Sequence, residues 1–437
     1  HTHTKEEAMA DHTYPQLEAN AGNLLKVAHD ENAYCPPRIE VPSDPDDPEY
    51  VQSFTVDQPD EMKEFFEKYN FVVIRDVLEP KDCELTIHEI WKYVREHHAG
   101  ELAIPSSMRD WDPRVCTRFP GSKQGGFLGD GALFYRQMLE NRQNERVYRA
   151  WATLYEDDRL LVNHDRVGYF RPTRAVSMPA FQRRSLVPGK SKTYEALPAA
   201  DYPELCSTYN LHLDMNPWYY CYESDSSAEN AFLRTLKYER PGMFLAENNV
   251  LGVIGDGQKH FQGLINLADN RHDDGGFILV PGFRHHLSEW VADTKRRGLQ
   301  ESYGTQLRFI PIPQTEPVHR NAIRVTMRAG SMVIWDQCTV HGSTPNNSSR
   351  PRYAQFIKLF PVAGYGDHVG RFERRVAAIQ RELAGKHAKG LRLSKLGRRL
   401  FGLDPWPTEA VESPKSTAAS KKKDQPNCKK KDKPTER

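Results

Sequence analysis

The sequence predicts a mainly β protein: a sandwich or jelly roll with flanking helices. Three observations carry this. Short β-branched or aromatic runs recur from about residue 160 to 360, separated by turn residues. Helical periodicity falls before and after that region, so strands and helices do not alternate as βαβ units require. The connections between the strand-like runs are irregular, and no internal repeat is visible.

Taken in order, residues 1–50 are polar and rich in proline, notably Pro36-Pro37 and Pro42 to Pro48. They read as an extended arm or lid. Residues 60–69 form a short helix and Phe71 to Ile74 a buried strand. Cys83, Ile87, Ile90, Trp91 and Val94 recur at helical spacing, which makes 79–98 an amphipathic helix. Residues 105–135 hold many Gly, Pro and Asp and are expected to be irregular; 138–157 return to helix. The strand-like runs then follow: 160–162, 167–170, 210–214, 264–267, 277–280, 322–327, 332–335 and 354–360. Long insertions separate some of them, at 171–205 and 284–320. Phe372, Val376, Ile379 and Leu383 make an apolar stripe, the mark of a helix lying on the sheet.

This gives a domain plan with an N-terminal arm over 1–55 and one domain over 56–390. Its jelly-roll core spans about 160–361 and its last helix about 368–390. An extension over 391–437 ends in a lysine-rich tail, expected to be disordered. A solvated tail is the reading preferred over a nuclear-targeting or nucleic-acid patch.

Composition excludes several classes. The 437 residues are 38% hydrophobic with a net charge of +1, so no global charge favours nucleic acid or an anionic membrane. Seven cysteines are scattered without a C-x-x-C pair, which argues against a disulfide framework and a thiolate zinc site. They point instead to a reducing, intracellular and cytoplasmic setting. No run of 18 apolar residues predicts a membrane span, and the first residues lack an apolar signal core. Gly255-x-Gly257 lacks the third glycine of a dinucleotide fingerprint. Neither a nucleophile elbow nor a phosphate-binding lysine loop is present.

One constellation remains. His212-Leu213-Asp214 lies in a strand-like stretch, where residues i and i+2 share a face. A second histidine would complete a two-His, one-carboxylate set that leaves coordination positions open, as non-haem Fe(II) oxygenases need. His341, after the buried-looking run Ser331 to Trp335, is the best placed. Arg352 follows eleven residues later, and its planar fork suits a carboxylate. With 17 histidines, about one H-x-D triplet is expected by chance. A second copy, His272-x-Asp274, sits in a turn and reads as a surface connection. His285-His286 has no acidic strand partner and reads as a solvent-facing pair.

Residues from about 64 to 361 resemble the phytanoyl-CoA dioxygenase-like family of Fe(II)/2-oxoglutarate-dependent oxygenases. Four stretches carry the resemblance: Phe65 to Val77, His212-Leu213-Asp214 with Trp218, Leu267 to His285, and His341 to Arg352. The last is the most specific. The resemblance implies a double-stranded β-helix (jelly roll, cupin-like) with Fe(II) on His212, Asp214 and His341. It implies that O2 and 2-oxoglutarate are consumed, with release of succinate and CO2. Arg352 would take the far carboxylate of 2-oxoglutarate, helped by Ser343 and by Arg171. Trp218 and Tyr169 would wall the substrate pocket. Asp214 disfavours halogenation, because related halogenases have a small residue there. The chain departs from the family pattern at three places: Asn70 replaces a usual Gly, Leu213 a frequent Gln, and Phe283-Arg284 stand where Ser is common. Hydroxylation of a small or medium organic molecule is the leading expectation. Oxidation of nucleic acid or protein, and an inactive jelly-roll binding protein, are the rivals.

Overall fold

In the computed structural model, residues 30–98, 102, 104, 105, 107–116, 126–128, 133–183, 191–206, 209–223, 238, 259–303, 309–365 and 370–407 are described. The elements below lie within residues 1–404, one of two units into which the chain divides. The lysine-rich tail falls outside the described residues.

Twelve short strands build two sheets. They are β1 (Ser53–Phe54), β2 (Phe71–Ile74), β3 (Phe127–Leu128), β4 (Val167–Phe170), β5 (Asn210–Leu213) and β6 (Phe261–Asn266), followed by β7 (Gly276–Leu279), β8 (Ile310–Pro311), β9 (Ile323–Arg324), β10 (Met332–Asp336), β11 (His341–Thr344) and β12 (Arg352–Phe356). The seven-stranded sheet runs β1-β2-β10-β6-β12-β4-β3 and the five-stranded sheet β8-β5-β11-β7-β9. Only β1 and β2 pair parallel; every other pairing in the two sheets is antiparallel. Strands β4 to β7 alternate between the sheets, and β9 to β12 do so again. Consecutive strands in those two runs therefore lie in opposite sheets.

Helices flank the sheets: α1 (Pro59–Tyr69), α2 (Pro80–His98), α3 (Arg136–Arg142), α4 (Glu145–Tyr155), α5 (Leu287–Arg296), α6 (Arg371–Leu383) and α7 (Lys395–Leu400). Asn70 ends α1 with φ 60, a left-handed conformation that Gly or Asn tolerates, which accounts for Asn where the family usually has Gly. The single helix expected over 138–157 is two. Asn144 caps α4 by accepting from the backbone N–H groups of Arg146 and Val147, so the chain restarts there. The strand expected over 354–360 also divides: Ile357 and Lys358 separate β12 from Leu359–Pro361, which pairs with Leu160–Val162.

The stripe expected on the last helix is corrected. The buried residues of α6 are Arg371, Arg375, Ala378 and Ile379, while Phe372, Val376 and Leu383 are only partly covered. Arg375 reaches inward to the carbonyls of Phe401 and Val162. The described end of the arm is also better tied than expected. Tyr50 and Asp44 are buried, and Asp44 pairs with Arg328 at 2.8 Å. Tyr34 bonds His286 through its hydroxyl (3.0 Å) and Asp293 through its backbone N–H (3.0 Å).

Alternation on β5 sets up the site. Leu211 and Leu213 point to one face and pack with Ile278, Val280, Trp290 and Val291 beneath α5. Asn210 and His212 point to the other. Leu213 therefore belongs to an apolar core, which explains why the frequent Gln is absent.

Candidate metal centre

Three donor atoms converge. His212 and His341 are register partners across β5 and β11, so their imidazoles stand opposite each other with ring centroids 4.5 Å apart. Asp214 follows β5 in a bend. Its Oδ1 lies 3.6 Å from His212 Nε2 and its Oδ2 3.5 Å from His341 Nε2. Donor atoms about 2.0–2.2 Å from one ion stand about 3–3.5 Å apart at adjacent positions. The separations fit a single ion, and one donor atom from each residue lies within 4.8 Å of the others.

Hydrogen bonding decides which nitrogens are available. His341 Nδ1 lies 2.9 Å from the Thr339 carbonyl. A carbonyl only accepts, so Nδ1 carries the proton and Nε2 presents its lone pair. His212 Nδ1 meets Asn210 Oδ1 at 3.1 Å in the same sense. Two imidazole lone pairs and a carboxylate then face one another. A cation relieves that repulsion, and the donor set of two nitrogens and one oxygen suits Fe(II).

Electrostatics agree. Burial and the neighbouring His341 push His212 down to about 3, which keeps it neutral. Burial by itself would raise Asp214, but the neighbouring His341 and His212 and the bond donated by Gln262 outweigh it and hold its carboxyl well below the usual range.

Arg352 enters the same cavity from the opposite sheet. The cavity is lined by His212, Asp214, His341, Ser343 and Arg352 among others. Arg352 is 1% exposed, and its Nε and Nη1 have no hydrogen-bond partner among the described residues. Its guanidinium lies 4.3 Å over the Phe170 ring. Burial and the charge of Arg324 push it down to about 9. A buried cation with two idle donors is costly unless an anion completes it.

Three expected residues lie elsewhere. Arg171 is corrected from a co-substrate contact to a structural cation: Nε bonds Asp110 at 2.8 Å, Nη2 the Trp111 carbonyl at 2.7 Å, and Nη1 the Cys116 carbonyl at 3.3 Å. Tyr169 is likewise not a pocket wall. It pairs with Tyr353 on the outer face and packs edge-on to Trp91 of α2, because a one-residue step along a strand reverses the face. Trp218 is fully buried, bonds Thr294 at 3.0 Å and stacks on Trp290, in the apolar core rather than at the cavity. Of the second H-x-D copy, His272 is exposed as expected, but Asp274 is fully buried and pairs with Arg350 at 2.8 Å. His285 is exposed, while His286 is half-buried against Tyr34.

Other cavity residues were not foreseen: Asn210, Gln262, Trp335, Phe309 and Lys358. Asn210 was legible, since it stands two before His212 on the same face of the strand. Gln262 lies on another strand, and nothing near it in sequence marks it.

Residues 250–354 match the phytanoyl-CoA dioxygenase (PhyH) family, a span that includes His341 and Arg352. A Dictyostelium discoideum protein named "Putative phytanoyl-CoA dioxygenase" is 32% identical over 342 residues, covering 78% of this chain and 86% of that protein. This chain belongs to the phytanoyl-CoA dioxygenase family. It is therefore a 2-oxoglutarate-dependent dioxygenase whose cofactors are iron and 2-oxoglutarate. The ectoine dioxygenase of Bordetella bronchiseptica is 31% identical over 110 residues, 24% of this chain and 36% of that one. Among solved structures, EctD from S. alaskensis with 2-oxoglutarate and 5-hydroxyectoine is similar at 12% identity and a TM-score of 0.37, covering 76% of this chain and 88% of that one. Among the described residues, no helix is long and apolar enough to cross a membrane, and the six cysteines are free.

Proposed function

We propose that this member of the phytanoyl-CoA dioxygenase family hydroxylates a small or medium organic substrate, with His212, Asp214 and His341 holding Fe(II). Arg352 binds the far carboxylate of 2-oxoglutarate, with Ser343 beside it. The observation that carries this reading is the pairing, in one cavity, of three facing metal donors and a buried guanidinium with idle N–H groups.

Bound Fe(II), 2-oxoglutarate and O2 supply the oxidising power: the co-substrate leaves as succinate and CO2 while the substrate gains a hydroxyl group. The chain's own residues bind and orient. Thr339 and Asn210 hold the two imidazoles in the tautomer that offers Nε2. Arg352 fixes the co-substrate by a charge-assisted contact in a buried setting, where such contacts are strong. Phe277, Phe309 and Trp335 line the cavity with apolar surface and limit water at the reacting centre.

The test is an anaerobic titration with Fe(II) and 2-oxoglutarate, following the metal-to-ligand absorption band. His341→Ala is expected to lose the band. Arg352→Ala should weaken 2-oxoglutarate affinity by about 2–5 kcal/mol, the usual cost of removing one partner of a buried charged pair. Unchanged affinity in Arg352→Ala would sink its assigned role. Succinate release across a panel of small organic molecules then identifies the substrate.

A further inference from the structure

Asp214 stands where the sheet no longer holds it. Pairing on β5 ends at Leu213, which faces Ile310 of β8. The carboxylate ligand therefore sits one residue beyond the ladder, and side chains do what strand pairing does elsewhere. Gln262 Nε2 donates to Asp214 Oδ2 at 2.8 Å, and Gln337 Nε2 donates to the Asp214 backbone carbonyl at 3.3 Å.

Each amide is itself oriented by a group that can only donate. Trp335 Nε1 donates to Gln262 Oε1 at 3.1 Å, and Lys358 Nζ to Gln337 Oε1 at 2.7 Å. A primary amide has one accepting end and one donating end. With an indole N–H at the oxygen, the NH2 of Gln262 must face Asp214. Turning the amide over would set N–H against N–H and oxygen against carboxylate, losing both bonds. Gln262 and Trp335 are also register partners on β6 and β10, so the sheet fixes their separation. Gln262 is 8% exposed, so water competes little for either end.

We propose that Gln262, oriented by Trp335, is a positioning residue that locks the Asp214 carboxylate and so sets how tightly this chain holds a divalent ion. The inference rests on the metal reading of His212, Asp214 and His341. Partners that orient a metal ligand are typically worth about 10–100-fold in metal affinity.

Co(II) titration, read by its d–d absorption without 2-oxoglutarate, tests this together with thermal melting of the metal-free protein. Wild type should bind and His341→Ala should not. Gln262→Met keeps the side chain's length and loses both hydrogen bonds. It is expected to weaken Co(II) binding by about 10–100-fold while the metal-free melting temperature changes little. Trp335→Phe leaves the amide in place but frees it to turn, and should lose a smaller part of the affinity. Should Gln262→Met fail to fold, Trp335→Phe and Gln262→Glu carry the same comparison. Wild-type affinity in the variants, whether or not their melting temperatures fall, overturns the inference while loss of binding in His341→Ala leaves the metal centre standing. Absence of Co(II) binding in wild type overturns both.

Discussion

At the scale of single residues, burial decides protonation and protonation decides chemistry. His212 is kept neutral by its surroundings, and other histidines share that condition. Burial, with the charges of Lys358 and Arg284, pushes His260 down to about 3 from an ordinary value of 6.5. Burial also holds His164 well below that value. Such groups take up protons on unfolding, so their contribution is full above about pH 6.5 and is lost as pH falls, for His260 toward 3. By pH 5 the loss at His260 would be about 2 kcal/mol. Urea melts of metal-free protein at pH 7.5, 6 and 5 should show this slope, and His260→Gln should flatten it. Equal slopes in the two proteins would remove His260 from the explanation. Arg171 teaches the opposite lesson. Sequence marks a cation there, but whether it serves a ligand or a neighbouring carboxylate depends on Asp110, 61 residues away in the chain.

At the scale of elements, the β5–β11 pair is the mechanical heart of the site. Gly342 follows the metal-binding candidate His341 and lies against Asn210, where an added Cβ would stand 1.9 Å from the Asn210 carbonyl oxygen. Only glycine allows the two strands to close. Gly342→Ala should part them at the register that sets His212 opposite His341. The expected cost is about 1–3 kcal/mol in stability from overpacking, with a fall in metal affinity. Chemical denaturation with and without Co(II) checks this; a variant with unchanged metal affinity would show that the register tolerates the shift. On the outer face of β5, Leu213→Ala should cost about 2–5 kcal/mol by opening a cavity beneath α5. Its denaturation midpoint should fall while the cavity-facing residues keep their places. Element existence was legible from periodicity, as α1, α2 and the core strands show. Their breaks were not, because the α3–α4 restart rests on one asparagine accepting two backbone N–H groups.

At the scale of the whole molecule, the candidate site lies in a cavity lined by residues of both sheets. The lysine-rich tail carries charge but has no part in the proposed chemistry. Deleting 411–437 should leave turnover on a small-molecule substrate unchanged, as steady-state succinate release would show. A large loss on deletion would favour a polyanionic or protein substrate tethered by the tail. The insertions at 171–205 and 284–320 contribute unevenly to the centre. Helix α5 covers the back of the β5–β7 layer, and β8 extends that layer beside His212.

The sequence by itself determined the β class, the helical flanks, and the candidates His212, Asp214, His341 and Arg352. Two-residue periodicity and short spacings are local properties, and local properties survive without a fold. Only the tertiary structure decided that Tyr169 and Trp218 turn away from the cavity, that Arg171 is spent on Asp110, and that Gln262 and Trp335 hold Asp214. Those outcomes depend on which strand lies beside which and in what register. Residues far apart in the chain become neighbours only when the two sheets have closed around them.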